Sequence, residues 1–164
     1  MTKRRSKKTL PIVEYPNDAL RAKCTLTLPD TKYRRKIIEE LFATMIKNGG
    51  VGLASPQVGY YFDLFVMQTQ KDKFFQACYQ PSIIYASKET STEMEGCLSI
   101  PGVSRLVERP KKIVVSHLDG WTGNKVEGWL TDLDAHIFQH ELDHLSGRLI
   151  IDHPEVKIDE EEYD

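Results

Sequence analysis

Residues 131–147, TDLDAHIFQHELDHLSG, contain both a predicted helix and the candidate reactive residues of the chain. The stretch predicts a helix from about Asp132 to Leu145. Thr131 and Asp134 have the spacing of a capping box, in which two side chains accept and return hydrogen bonds at the first turn. Gly147 suits the left-handed residue that ends many helices. A helix with these bounds fixes the spacing of every reactive residue inside it.

The helix contains His140-Glu141-Leu142-Asp143-His144, an HExxH sequence. At 3.6 residues per turn, His140 and His144 lie one turn apart on one face, so both imidazoles can reach a single metal ion. Glu141 is rotated by about 100° from His140 and lies beside that ion, where a base belongs. Leu133 and Ile137 share the histidine face, which predicts that the face is buried. The alternative is a pair of histidines that happen to flank a solvated glutamate.

A hydrolytic metal site usually has three protein ligands and one open position. In one metalloprotease pattern the third ligand is a histidine at the position that Ile150 occupies here. A second protease pattern takes a downstream glutamate from another helix, but the candidates, Glu155 and Glu160 to Glu162, lie in an acidic tail without apolar periodicity. Cys97 is the better candidate, since a thiolate with two imidazoles suits Zn²⁺ or Fe²⁺. A closed structural zinc site, with Cys78 or His117 as fourth ligand, is a further alternative.

The rest of the chain predicts an α+β fold, because two helices are separated by a block of strands. The first helix is expected from about Thr31 to Asn48, with Asp30 or Thr31 as its cap and Gly49-Gly50 as its end. Asp119-Gly120 and Gly123-Asn124 supply turn residues for an antiparallel hairpin. The expected strands are Phe62–Met67, Phe74–Tyr79, Ser82–Tyr85, Lys112–Leu118 and Lys125–Leu130.

Composition restricts the classes of partner. A chain of 164 residues with a formal net charge of -2 has no electrostatic footprint for nucleic acid or an anionic membrane. No apolar run approaches the length of about 18 residues expected of a membrane helix. We expect one catalytic domain over residues 10–153, with a basic flexible tail at 1–9 and an acidic one at 154–164. Three cysteines without a signal peptide indicate reduced thiols in a cytoplasm.

Three segments together resemble the peptide deformylase family. They are GVGLASPQ at residues 50–57, EGCLS at 95–99 and QHELDH at 139–144, in the family's order and with similar separations. The likeness extends from about Ile12 to Ile151. It implies antiparallel β-sheets packed around a central helix that carries HExxH, with one N-terminal helix. The chain is similar to short members that lack a long C-terminal helix.

The resemblance implies a metal-dependent hydrolase that removes the formyl group from the formylmethionine of new polypeptides and releases formate. Cys97, His140 and His144 would hold the ion, which is typically Fe²⁺, although Zn²⁺, Ni²⁺ or Co²⁺ can occupy such sites. The ion would acidify a bound water, with Glu141 as its acid and base. By resemblance, the Leu98 backbone N–H and the Gln57 side-chain amide would stabilise the charge on the former carbonyl oxygen.

The resemblance also assigns a substrate pocket. The Gly52 backbone would pair with the substrate as an added strand, beside Gly50. Val51, Leu133 and Ile137 are candidates for the pocket that takes the methionine side chain, or else ordinary core residues.

Glu95 is expected next to the metal thiolate, where a carboxylate needs a positive partner. Arg105 or Arg109 is the natural one, which predicts a supporting role for Glu95 rather than a catalytic one. Glu93 and His136 place polar groups near positions that often border the pocket, so substrate preference beyond methionine stays open.

The short acidic C-terminus does not support docking on the ribosome. We expect a cytoplasmic location, in a bacterial or phage-infected cell, without excluding an organelle. The expected partners are N-formylmethionyl peptides and nascent chains, without nucleic acid or membrane.

Overall fold

The computed structural model describes residues 7–157, which form two α-helices, seven strands and three 3-10 turns. The helices are α1 (Thr31–Lys47) and α2 (Asp132–Leu145). The strands are β1 (Gly52–Ala54), β2 (Leu64–Gln68), β3 (Phe75–Ala86), β4 (Thr90–Gly96), β5 (Ser104–Pro110), β6 (Lys112–Asp119) and β7 (Lys125–Thr131). The 3-10 turns are Asp18–Arg21, Ser55–Val58 and Ile150–Asp152. The predicted α+β class is confirmed.

The strands form two antiparallel sheets. One has five strands in the order β1-β2-β3-β6-β7, and the other consists of β4 and β5 alone. Strands β3 and β6 are hydrogen-bonded neighbours, so the β4–β5 sheet is an insertion between them. Helix α2 contacts strands of both sheets. The helix that carries HExxH therefore lies between the two sheets, as the resemblance implied.

Helix α1 begins and ends where its sequence predicts. The Asp30 carboxylate accepts a hydrogen bond of 2.7 Å from the Tyr33 backbone N–H, which caps the first turn. The helix ends at Lys47, and Gly49 follows with a positive φ of 69°. Its apolar face packs on the sheet, where full burial of each large side chain contributes about 1.5–3 kcal/mol. The apolar cluster between α1 and the sheet includes Ile37, Ile38, Leu41, Met45, Leu53, Leu64 and Val66.

Helix α2 has the predicted bounds but not the predicted cap. The Thr131 side chain makes no capping hydrogen bond. The Asp134 carboxylate instead accepts hydrogen bonds from the backbone N–H groups of Gln70 at 2.5 Å and Lys71 at 3.4 Å. The capping-box prediction was wrong, because the loop after β2 competes for the same carboxylate. This contact fixes the first turn of α2 against the sheet.

The last turn of α2 is followed by Gly147, as predicted, with a φ of 77°. A Cβ atom there would also lie only 2.7 Å from the Arg21 carbonyl carbon. Conformation and close approach both require glycine at this position. On the buried face of α2, Phe138 packs edge-on against Phe65 of β2, with ring centroids 5.1 Å apart. The helix that bears the histidines is thus anchored at both ends and along its length.

The predicted β6–β7 hairpin is confirmed. Two further predicted strands are parts of the single strand β3, which carries register shifts after Tyr79 and Ile83. Strands β1, β4 and β5 were not predicted. Within residues 7–157, no helix is both long and apolar enough to cross a membrane. Residues 1–6 and 158–164 lie outside the described residues, so the expected flexibility of the tails stays a prediction.

Candidate metal centre

Three potential ligands meet between the β4–β5 sheet and α2. Cys97 follows the end of β4, and His140 and His144 lie on consecutive turns of α2. The His144 Nε2 atom lies 3.4 Å from the Cys97 Sγ atom and 3.3 Å from the His140 Nε2 atom. The ligand atoms of all three residues lie within 4.8 Å of one another. One ion can therefore contact all three.

The arrangement of the His140 ring shows that a cation fits this position. Its Nδ1 atom lies 3.0 Å from the Glu95 carboxylate, so Nδ1 carries the proton and Nε2 presents a lone pair. That lone pair converges with the His144 nitrogen and the Cys97 sulphur. Three ligand atoms that lie so close together and face one position can share a single cation. The donor set is also the soft one that divalent transition metals prefer.

Cys78 and His117, the alternative fourth ligands, lie elsewhere. Cys78 is fully buried in the apolar core, and the His117 Nδ1 atom lies 3.0 Å from the Leu118 carbonyl oxygen. Neither belongs to the ligand cluster found among residues 7–157. Cys78 and His117 therefore do not supply a fourth ligand to this cluster.

Glu95, at the end of β4, is the centre of a buried polar network. The Arg109 guanidinium donates to both carboxylate oxygens, from Nε to Oε1 at 2.7 Å and from Nη2 to Oε2 at 2.9 Å. The His136 Nδ1 atom lies 3.1 Å from Oε1, and the His140 Nδ1 atom lies 3.0 Å from Oε2. Burial alone would raise the pKa of Glu95, but these hydrogen bonds outweigh it and hold the pKa well below its usual range.

Of the two predicted arginine partners of Glu95, only Arg109 has this role. Arg105 lies directly opposite Glu95 in the β4–β5 register, yet its guanidinium donates to the Ile151 carbonyl oxygen at 2.9 Å. The prediction for Arg105 was therefore wrong. Arg109 also donates to the Asp143 carboxylate at 2.9 Å, so a single guanidinium joins β4 to α2.

Glu141 is buried beside the ligand cluster. Its Oε1 atom lies 4.0 Å from the His140 Nε2 atom, and its Oε2 atom has no hydrogen-bond partner among the described residues. Burial raises the pKa of Glu141 to about 7, because the charged form loses its contact with water. A buried carboxylate oxygen without a partner is costly in a finished core. The free oxygen of Glu141 can instead accept a hydrogen bond or a proton from a reactant.

Gly52 provides the space that Glu141 occupies. A Cβ atom on Gly52 would lie 2.7 Å from the Glu141 Cδ atom and 2.8 Å from its Cγ atom, and closer still to Oε1. Gly50 is related to Leu98 in the same way, at 2.8 Å from its Cδ1 atom. Sequence reasoning attributed the glycine at 52 to an approaching substrate. The structure adds a second reason, which is direct packing against the buried carboxylate.

The Gln57 side chain is held on both sides of its amide. The Oε1 atom accepts a hydrogen bond of 2.9 Å from the Ala54 backbone N–H, which leaves the amide nitrogen facing the cluster. The Nε2 atom donates to the Ser99 hydroxyl at 3.1 Å and lies 3.7 Å from the Cys97 Sγ atom. Leu98 lies between Cys97 and Ser99 in the sequence and lines a cavity next to the cluster.

A cavity of about 530 Å³ opens onto the cluster and contains all five predicted substrate-binding positions, Gly50, Val51, Gly52, Leu133 and Ile137. Leu133 was expected on a buried face but is 46% exposed, because it lies at the mouth of the cavity, as does Val51 at 40%. Ile137 is 7% exposed and forms part of the inner wall.

Sequence reasoning missed several residues of the site. Met94 and Val103 line the cavity, and Ser91, Asp143 and His153 extend the polar network. The unpredicted β4–β5 sheet carries Met94 and Ser91, and Val103 directly precedes β5. The role of Asp143 depends on Arg109, which is distant in sequence. Only its position inside HELDH could have drawn attention to it.

Two imidazoles and a thiolate around one position, with a buried free carboxylate next to an open cavity, define a metal-dependent hydrolase. A closed structural site has no use for either the carboxylate or the cavity.

Sequence and structure comparisons identify the family. Residues 9–160 match the family described as polypeptide deformylase. The peptide deformylase of Borreliella burgdorferi is 43% identical over 91% of this chain and 90% of its own length. The crystal structure of peptide deformylase from Thermotoga maritima superposes with a TM-score of 0.84 at 36% identity, over 91% of this chain and 99% of that one.

A further similar structure is a class I type b peptide deformylase from Acinetobacter baumannii with Met-Ala-Ser bound. Its TM-score is 0.84 at 26% identity, over 90% of this chain and 99% of that one. The chain therefore belongs to the peptide deformylase family, and it is a metal-dependent hydrolase that removes the N-formyl group from nascent peptides.

Proposed function

We propose that Cys97, His140 and His144 hold one divalent ion and that Glu141 moves the protons of the reaction. The observation that carries this proposal is the buried Glu141 Oε2 atom, which lacks a partner among residues 7–157 beside three converging ligand atoms. A bound ion supplies Lewis-acid chemistry, since it polarises a carbonyl group and acidifies water.

Glu141 serves as base and then as acid. Its free Oε2 atom accepts a proton from the water that attacks the formyl carbon. The same oxygen later returns the proton to the departing amine nitrogen, which leaves formate and a free N-terminus. Gly52 keeps this carboxylate in place, because the packed backbone leaves it little room to swing away.

Gln57 and Leu98 are proposed to stabilise the negative charge that develops on the formyl oxygen. Gln57 is already oriented by the Ala54 N–H, so its amide nitrogen need not reorganise during the reaction. The Leu98 backbone N–H would be the second donor. Loss of one such donor typically costs about 2.7–4 kcal/mol of barrier.

The proposed substrate is a peptide that begins with formylmethionine. Gly50, Val51, Gly52, Leu133 and Ile137 line a cavity that opens on the cluster, and apolar walls suit a methionine side chain. Strand β1, which contains Gly52, is an edge strand of the five-stranded sheet, so a peptide can add to it. The similar protein with Met-Ala-Ser bound supports a peptide as the substrate.

We propose Fe²⁺ as the physiological ion, with Zn²⁺, Ni²⁺ or Co²⁺ able to replace it. The thiolate and two imidazoles suit all four ions. The proposed compartment is a cytoplasm, which the three free thiols of Cys24, Cys78 and Cys97 support. The catalytic domain is proposed to comprise residues 10–153, and the absence of nucleic-acid and ribosome partners stays a prediction.

A formate-release assay on a formyl-Met peptide tests the proposal, with anaerobically prepared protein and each ion in turn. We expect Glu141→Gln to lower kcat by roughly 10²–10⁴-fold while the metal content is unchanged, because the amide cannot accept the proton. Glu108→Gln, the same change at an exposed position on β5, should retain full activity. Activity that survives in Glu141→Gln would remove the proposed role of Glu141. An inactive parent with every ion would remove the proposed substrate.

A further inference from the structure

His136 is a buried polar residue that the proposed reaction does not use. It lies on α2 one turn before His140, borders the cavity and is only 1% exposed. Both of its ring nitrogens have partners. Nδ1 lies 3.1 Å from Glu95 Oε1, and Nε2 lies 3.0 Å from the Ser91 hydroxyl on β4.

The direction of these hydrogen bonds follows from their partners. Glu95 accepts from Arg109 through both oxygens and is ionised, so it can only accept from His136 as well. His136 Nδ1 therefore carries the proton. When the ring is neutral with its proton on Nδ1, the lone pair on Nε2 accepts a hydrogen bond from the Ser91 hydroxyl. Ser91 thus favours the one tautomer of His136 that can support Glu95.

Glu95 is held symmetrically as a result. Each carboxylate oxygen accepts one hydrogen bond from Arg109 and one from a histidine, which is His136 on Oε1 and His140 on Oε2. The carboxylate has about four lone-pair sites, and all are in use. Such a carboxylate cannot rotate without breaking several bonds at once. The orientation of the His140 ring depends on it.

We propose that His136 and Ser91 are positioning residues of the metal centre, which act through Glu95 on the His140 ring. This inference rests on the proposed metal ligands but not on the proposed substrate. Partners of metal ligands typically contribute 10–100-fold to metal affinity. Since His136 is one hydrogen bond further out than Glu95, we expect an effect of roughly tenfold, the lower end of that range.

Two substitutions test the hydrogen bonds of the two His136 ring nitrogens separately. In His136→Asn the amide lies close to the Nδ1 position, so it can still donate to Glu95 but loses Ser91. In His136→Gln the amide lies close to the Nε2 position, so it retains Ser91 but loses Glu95. Each variant keeps one of the two hydrogen bonds. A purely structural role would make them similar, whereas the proposed role makes them different.

The experiment measures Zn²⁺ affinity by competition with a chelator, together with the Tm of the metal-free protein, on the full chain. We expect His136→Gln to bind Zn²⁺ roughly tenfold more weakly than the parent and His136→Asn to stay within about threefold of it. His117→Gln is the matched control, because His117 is buried, lies outside the ligand cluster and does not contact Glu95. Its affinity should equal that of the parent.

A second pair of variants covers the case in which both His136 variants unfold. Ser91→Ala should weaken Zn²⁺ binding severalfold, and Ser91→Thr, which keeps the hydroxyl, should restore it. Equal affinities in the folded His136 variants, or in the two Ser91 variants, would overturn the inference. A parent that binds no Zn²⁺ would overturn the proposed ligands as well. The measurement does not involve formate release. Failure of the proposed substrate can therefore be distinguished from failure of the proposed role of His136 and Ser91.

Discussion

The ligand cluster lies between two buried carboxylates that have opposite surroundings. Glu95 accepts four hydrogen bonds and its pKa is held far below the usual range. Glu141 is just as buried, but its Oε2 atom has no partner among residues 7–157 and burial raises its pKa to about 7. Burial alone therefore does not set the state of a carboxylate. The partners that the fold provides decide whether it is a fixed anion or a proton carrier.

The difference separates support from chemistry within one small volume. A carboxylate with every lone pair in use stiffens its surroundings and orients a ligand. A carboxylate with a free oxygen can meet a reactant, but it is held by packing rather than by hydrogen bonds. Removal of a charged partner of Glu95 should therefore destabilise the protein. Next to Glu141, the addition of a side-chain atom that takes up its space should do so.

The largest effect on stability is expected from Arg109→Ala. The substitution leaves Glu95 buried with its main counter-charge removed, which should cost about 3–5 kcal/mol of unfolding free energy in chemical denaturation. Arg105→Ala is the matched control on the same strand. It removes one hydrogen bond to the Ile151 carbonyl and should cost only about 0.5–1.5 kcal/mol. Equal losses in the two variants would contradict the assignment of Arg109 as the partner of Glu95.

Gly52→Ala tests the packing on the Glu141 side. The added methyl group overlaps the Glu141 side chain, so we expect a loss of about 1–3 kcal/mol. In a Glu141→Ala background the same methyl group enters vacated space, and the loss should disappear. Thermal unfolding of the four proteins gives the coupling between the two sites.

Gly128→Ala is the control for Gly52→Ala, since nothing lies within 4 Å of a Cβ atom there. It should not destabilise the protein in either background. If Gly52→Ala costs as much without the Glu141 side chain as with it, the packing explanation is wrong.

Thiol alkylation compares the cysteine between the two carboxylates with those in the core. After chelation of the metal at pH 8, iodoacetamide should modify Cys97, which is partly exposed. Cys24 is buried, and burial raises the pKa of its thiol to about 11, so only about one molecule in a thousand is thiolate at that pH. Burial likewise raises the pKa of Cys78. Peptide mass spectrometry that finds Cys24 or Cys78 modified as fast as Cys97 would refute this expectation.

The smallest effect is expected at the edge of the Glu95 network. His153 lies 2.8 Å from the Asp143 carboxylate, which also accepts from Arg109. His153→Ala removes one of these two contacts and should cost about 0.5–1.5 kcal/mol. Chemical denaturation of this variant beside Arg109→Ala measures how far the network extends. A loss as large as that of Arg109→Ala would show that the edge and the centre are equally important.

The helices and the ligands could be predicted because their signals are local. Asp30, the Gly49-Gly50 pair and Gly147 mark the helix ends, and HExxH places two ligands at a fixed spacing on a helix. The third ligand needed either elimination of alternatives or the family resemblance. Its neighbours could be named for the same reason, since the resemblance covers the three segments that meet in space.

The partners of Glu95 could not be predicted in full, because they depend on register. Strands β4 and β5 are polar and partly exposed, so their residues show little apolar alternation. Without these strands, nothing in the sequence distinguishes Arg105 from Arg109. The Thr131 cap failed for a similar reason, since the competing N–H groups of Gln70 and Lys71 are distant in sequence.

The insertion of β4 and β5 between β3 and β6 has a consequence for how the protein opens. The two strands share ladder hydrogen bonds with each other but with none of the five strands of the main sheet. Their side-chain hydrogen bonds to α2 involve Ser91, Glu95, Arg109 and the Pro110 carbonyl oxygen. We therefore expect the β4–β5 amides to exchange with deuterium earlier than those of β2 and β3 in metal-free protein, as one cooperative unit. An ion held by both Cys97 and the α2 histidines would link this unit to the helix and slow its opening.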